Sequence, residues 1–148
     1  MVPEIRHILV PIDITDASSR VAGYATAMAE RFHARVTALY VVEESEGILG
    51  FTVATRDTDE SEAELESEFA QKLSDHAHRY LPSGTEVRVV EGEPHHRIVE
   101  TAREVGADLI LMGHHLRGKL ERLMNGSVAE HVLRESQIPL LVVPVGQD

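Results

Sequence analysis

Leu109-Ile110-Leu111-Met112 is the stretch on which the fold turns. It is apolar without alternation and of strand length, the pattern of a strand whose two faces are both covered by helices in a parallel sheet. Ile98, Ala102 and Val105 precede it at helical spacing after Pro94, and Val128, Val132 and Leu133 follow at helical spacing after Ser127. Working outward, Ile8 to Ile12 and Leu140 to Val143 are also apolar with little alternation, Val36 to Val42 is a further β-rich run, and Val87 to Val90 alternates with charge as an edge strand does. Val21, Ala25, Met28, Ala29 and Phe32 line one face of a first helix, with Asp16 as its N-cap and Ser18 and Ser19 as first-turn residues. Leu65, Phe69, Leu73, Ala77 and Tyr80 mark the longest helix, acidic at its start and basic later, as the helix dipole favours. Strand and helix therefore alternate from end to end, which predicts one α/β domain over 1–148 with a parallel sheet and right-handed crossovers.

Two prolines test this reading. Pro11 lies inside the first strand, where it would break a central ladder; its place near the strand's end argues that the strand survives. Pro139 and Pro144 bracket the last strand and suit an edge open to a second copy of the chain. The connection Glu43 to Ser61 is long and carries apolar residues. A flap over the core edge or a dimer contact is favoured there over a lid on a ligand.

Composition removes several classes of function. With 25 acidic residues against 14 Lys and Arg, the net charge of -11 opposes binding to nucleic acid or to an anionic membrane surface. No segment has the roughly 20 apolar residues of a membrane span, and Met1 to Arg6 leads straight into a strand rather than a signal sequence. There is no cysteine, hence no disulfide and no thiolate metal site. A cytoplasmic setting fits these features.

Ligands of open parallel sheets bind beyond the carboxyl ends of the strands, where the connections change direction. Asp13 stands at the first such end, placed to accept hydrogen bonds from a ribose or base, or to support a phosphate-bound metal. The segment from Gly113 to Ser127 stands at another. Gly113 and Gly126 let a phosphate approach the backbone, Gly126 and Ser127 lie at a helix start, and Arg117, Lys119 and Arg122 outnumber Glu121. Ser127-Val128-Ala129-Glu130 also has the spacing of a capping box. A cap explains Ser127 but not the glycines and cations before it, so phosphate binding is preferred.

Ile8-Leu9-Val10-Pro11-Ile12-Asp13, Ala107 to Gly113, Gly126-Ser127-Val128-Ala129-Glu130 and Pro139 to Pro144 together resemble the universal stress protein family over nearly the whole chain. The resemblance implies a Rossmann-like open sheet of five parallel strands in the order 3-2-1-4-5, helices on both faces, and a homodimer joined through Leu140 to Val143. In the ATP-binding branch the pattern is Gly-x2-Gly-x9-Gly-Ser/Thr. Gly113, Gly126 and Ser127 match it, Leu116 replaces the second glycine, and Gly118 is out of register. By the same resemblance Asp13 and the backbone near Val41 meet the adenosine, and Gly113, Gly126, Ser127 and Val128 meet ribose and phosphates. Pro11 and Arg117 complete the candidate set. The ligand implied is ATP, or AMP or ADP, with Mg2+ as a possible companion, in a stress-response protein that also meets an unnamed regulatory partner.

Three other readings draw on the same sequence. The 9 histidines suggest a metal, but adjacent ones such as His95-His96 and His114-His115 point opposite ways on an extended chain, so a metal site is not expected. No Gly-x-Ser-x-Gly elbow, Walker sequence or dinucleotide fingerprint is present, which leaves no catalytic residue to name and hydrolysis slow or absent. A dimeric interaction protein that has lost its nucleotide through Leu116, and a weak ATPase using Asp13 and a divalent ion, stand as alternatives.

Overall fold

Strands and helices alternate throughout the computed structural model, which describes residues 2–13, 18–43, 59–115 and 127–145. The order is β1 (His7–Pro11), α1 (Ser18–Phe32), β2 (Arg35–Val42), α2 (Asp59–Tyr80), β3 (Glu86–Glu91), α3 (Pro94–Val105), β4 (Leu109–His115), α4 (Val128–Glu135) and β5 (Leu140–Val145). The 5 strands form one sheet in the order β3-β2-β1-β4-β5, and every pairing is parallel. This is the expected sheet, with β3 and β5 at its edges. None of the described helices is long and apolar enough to cross a membrane.

The strand periodicity of two sorts the core into two layers. Ile8, Val10, Leu109 and Leu111 face α1 and α2, whose Val21, Ala25, Leu73 and Ala77 complete that layer. Leu9, Leu39, Ile110 and Met112 face α3 and α4, against Ile98, Ala102, Ala129 and Val132. Each large aliphatic side chain buried this way contributes about 1.5–3 kcal/mol. The sorting also follows from connection handedness: β1 to β2 to β3 steps one way across the sheet, β3 to β4 to β5 steps the other, so the two helix pairs fall on opposite faces.

Element ends depart from expectation by one residue at the start of β2 and at both ends of β3, and more tellingly elsewhere. The first strand starts at His7 and stops at Pro11, leaving Ile12 outside it. The fourth runs on through Gly113 to His115, and the fifth includes Pro144 instead of ending before it. The long connection is shorter than Glu43 to Ser61, because α2 already begins at Asp59. Residues 44–58, where the flap was expected, and Asp16 lie outside the described residues.

The registers explain both strand prolines. Ile12 N–H donates to the Leu39 carbonyl at 2.9 Å, so the nitrogen of Pro11, one residue earlier, faces β4. Pairing of β1 with β4 covers only Ile8 with Leu109 and Leu9 with Ile110, whereas pairing with β2 continues to Pro11 opposite Leu39. The proline thus removes the donor of the next rung toward β4 and keeps the ladder toward β2. On β5, Ile110 N–H donates to the Pro139 carbonyl at 2.9 Å, so Pro139, Leu141 and Val143 turn their backbone groups to β4 while Leu140, Val142 and Pro144 turn theirs to the open edge. The missing N–H of Pro144 therefore costs no rung.

At the amino ends of the strands the polar groups are closed in on one another. The Asp108 carboxylate accepts from the N–H groups of Arg6 (2.8 Å) and His7 (3.0 Å). His7 and Thr37 are buried. The Nδ1 of His7 donates to the Val105 carbonyl at 3.1 Å, which leaves Nε2 to accept from the Thr37 hydroxyl at 2.7 Å. Burial, followed by the Arg35 charge, pushes the His7 imidazole below its ordinary range, against the opposing pull of the Val105 carbonyl, Glu86 and Asp108. It is held neutral.

Candidate functional site

The truncated β1–β4 ladder opens onto a cavity of about 230 Å³ at the carboxyl ends of the strands. Pro11, Ile12 and Asp13 reach it from the end of β1, Leu39, Tyr40, Val41 and Glu43 from the end of β2, and Met112 and Gly113 from β4. Pro94 and Ile98 of α3, together with Val128 at the start of α4, form the wall on the other layer. This is the point where connections leave in opposite directions, the position at which a doubly wound sheet offers a crevice. Its walls are largely aliphatic, with the carboxylates of Asp13 and Glu43 as acidic groups at the boundary.

Of the residues expected from sequence, Pro11, Asp13, Val41, Gly113 and Val128 are brought together around this one cavity. Ser127 stands directly before Val128 as the N-cap of α4. Arg117 and Gly126, with Leu116, Gly118, Lys119 and Arg122, lie outside the described residues.

Gly113 has a packing duty that its sequence does not announce, and Ser127 has the capping duty placed second to phosphate binding. A side chain on Gly113 would place its Cβ 2.9 Å from Cγ2 of Val21 and 3.1 Å from Cγ2 of Val145. Its bareness therefore lets α1 and the end of β5 close on β4. The capping box is formed in full: Ser127 Oγ accepts from Glu130 N–H at 3.1 Å, and the Glu130 carboxylate accepts from Ser127 N–H at 3.3 Å. In this state the N–H groups of Val128 and Ala129 are the first-turn donors that the box does not engage, and the helix has no internal partner for them.

Several cavity residues were missed. Ile98 and Met112 fit the helical and strand patterns so well that the sequence offers them only as core. Tyr40 stacks on Phe69 of α2 with ring centres 5.3 Å apart, tying the long helix to the rim. His76 of α2 is buried against Tyr80, at 4.7 Å between ring centres. Burial lowers its pKa, the nearby Asp13 carboxylate raises it, and Arg79 lowers it. Asp13 is thereby in electrostatic contact with α2, a link between residues far apart in sequence.

His95 stacks on His131 at 4.7 Å between ring centres and lies between the carboxylates of Glu93 (3.4 Å) and Glu135 (3.3 Å), joining α3 to α4. Among the described residues no group of three or more His, Asp and Glu side chains is arranged to hold a metal ion.

Comparison with known proteins agrees with this architecture. The family model described as the universal stress protein family matches residues 4–144. Universal stress protein MJ0531 of Methanocaldococcus jannaschii is 34% identical over 145 residues, covering 93% of this chain and 81% of the relative. Universal stress protein MJ0577 of the same organism is 31% identical over 156 residues, covering 93% and 94%. A solved structure of MJ0577 superposes with a TM-score of 0.75 at 28% identity, over 99% of this chain and 100% of that one. A universal stress protein crystallised with cAMP shares the fold at a TM-score of 0.67 and 22% identity, covering 97% and 99%.

Proposed function

The chain belongs to the universal stress protein family, and from that premise we propose that it is a homodimeric adenine-nucleotide-binding protein in which ATP, ADP or AMP is a ligand rather than a rapidly consumed substrate. The observation that carries this is the cavity at the β1–β4 opening, which joins an apolar slot to the start of a helix. A flat base suits the space between Pro11, Val41, Ile98 and Met112, and Asp13 and Glu43 are acceptors for amino or hydroxyl donors. The free first-turn N–H groups of α4 suit phosphate oxygens. A volume near 230 Å³ is below the roughly 300–1,000 Å³ of a full ligand cleft, so the base and sugar enter and the charged chain extends along the rim. The universal stress protein crystallised with cAMP and one from Archaeoglobus fulgidus solved with dAMP support an adenine ligand.

The dimer rests on the edge of β5. Val142 is 40% exposed and Leu133 on α4 is 65% exposed, and among the described residues the backbone groups of Leu140 and Val142 have no strand on that side. A twofold axis at Val142 pairs each β5 antiparallel with its copy and satisfies these groups, leaving the donorless Pro144 outside the central rung. Mass measurement under native conditions tests both parts at once. Twice the chain mass, with a shift equal to bound ATP, ADP or AMP after incubation, is the expected result. A monomer at micromolar concentration sinks the dimer, and protein that takes up none of the three sinks the nucleotide reading.

A further inference from the structure

His114 follows the cavity residues Met112 and Gly113 near the end of β4. β4 alternation puts it on the same face as Ile110 and Met112, inside the layer built by α3 and α4. Met112 lines the cavity, and His114 lies one strand repeat further toward the carboxyl end, about 7 Å along the strand. It is opposite Pro144 in the β4–β5 register, and α4 packs on this strand. Its Nδ1 is buried and has no hydrogen-bond partner among the described residues. Buried polar atoms are nearly always paired, and one left over needs a reason. His7 shows how this fold treats an imidazole used as structure: both of its ring nitrogens are engaged, at 3.1 and 2.7 Å.

We propose that His114 is a further ligand-binding residue whose Nδ1–H donates to a phosphoryl oxygen of the bound nucleotide, beside the first-turn N–H groups of α4. The assignment rests on the nucleotide reading above and deepens it by naming the part of the ligand that is read. The chemistry selects the phosphoryl group: Met112 and the aliphatic walls take the base side of the cavity, whereas His114 stands one strand repeat beyond Met112 on the strand against which α4 packs. An imidazole N–H at Nδ1 is a donor to an oxygen that can only accept. The bond to an anion is of the charge-assisted kind, stronger than one between neutral groups.

Calorimetric titration of ATP and adenosine into wild type, His114→Ala and His114→Asn decides the matter, because an asparagine amide N–H2 falls close to the Nδ1 position. His114→Ala is expected to weaken ATP about tenfold, equivalent to about 1.4 kcal/mol, and to leave adenosine unchanged; His114→Asn is expected to recover most of the loss. In 15N spectra the His114 Nδ1 resonance should move with ATP and not with adenosine, a response that a purely structural histidine would not give. Unchanged ATP affinity in His114→Ala, or an equal loss for adenosine, overturns the assignment while wild-type binding keeps the nucleotide reading intact. Should wild type bind neither ligand, that reading fails by itself. Inorganic triphosphate then tests His114 alone, and an unmoved Nδ1 resonance overturns it.

Discussion

The two ends of the same sheet are built on opposite principles. At the amino ends, Asp108 ties down the N–H groups of Arg6 and His7, and His7 spans from Val105 to Thr37. At the carboxyl ends a rung is deleted by Pro11, a side chain is absent at Gly113, and the Nδ1 of His114 is left over. One end uses its polar groups to hold strands together; the other withholds contacts and so keeps a space. The difference teaches that function here is visible less in any reactive cluster than in where pairing stops.

The largest effect that tests this contrast is expected from Gly113→Ala. The new Cβ would lie 2.9 Å from Val21 and 3.1 Å from Val145, and overpacking of this kind costs about 1–3 kcal/mol. Removing a strand glycine returns about 0.5–1 kcal/mol, so a net loss of up to about 2.5 kcal/mol should appear in urea denaturation. Nucleotide affinity should fall as well, because Val21 and Val145 also line the cavity. If stability holds and binding alone disappears, Gly113 serves the ligand directly and the packing account of it is wrong.

A smaller effect belongs to the closed end. Burial lowers the pKa of His7, and of His76 in the helix layer. An unfolded chain protonates these imidazoles near the ordinary value of about 6.5, before the folded protein does. Their contribution to stability is therefore complete above that value and is lost as pH falls below it toward the folded pKa. Each proton taken up only by the unfolded chain removes about 1.4 kcal/mol per pH unit. Urea midpoints measured from about pH 7.5 down to about pH 5.5 should decline, and His7→Gln should flatten the decline without changing nucleotide affinity at neutral pH. An equally steep decline in His7→Gln would show that His7 does not contribute to it.

Which parts of this were legible in advance follows from the range of the interactions. Strand and helix alternation, the capping box at Ser127 and Glu130, and the edge character of β3 and β5 are written in neighbouring residues, and they are present in the structure. The sheet order came from the family pattern. What Pro11 does was not legible, since it depends on which neighbouring strand its nitrogen faces, a property of the sheet and not of the residue. Gly113 was read as room for a ligand because the valines that fill its space stand at positions 21 and 145. The His7–Thr37 bond and the orphaned Nδ1 of His114 are equally nonlocal; a histidine in a strand looks the same whether its nitrogens find partners or not.

The smallest and most discriminating effect concerns Glu130, where the open end carries a substitute for its own ligand. The Glu130 carboxylate accepts the Ser127 N–H at 3.3 Å, placing a negative charge at the helix start proposed to receive phosphate. The same charge that stabilises α4 must compete with an incoming anion. Replacing Glu130 with alanine breaks the box and should cost about 0.5–1 kcal/mol of stability. It also frees the Ser127 N–H and removes a like charge worth about 0.3–1 kcal/mol at a helix terminus, so ATP affinity should rise by about two- to fivefold. Two readouts thus move in opposite directions, which no general loosening of the fold would produce. Glu130→Gln separates the causes, because its amide oxygen still caps Ser127 but carries no charge. Tightening in both variants assigns the competition to charge, and tightening in alanine alone assigns it to the released N–H. If neither variant tightens ATP while both remain folded, the phosphates do not meet the start of α4, and the open end must be reading its ligand through the apolar slot and Asp13 instead.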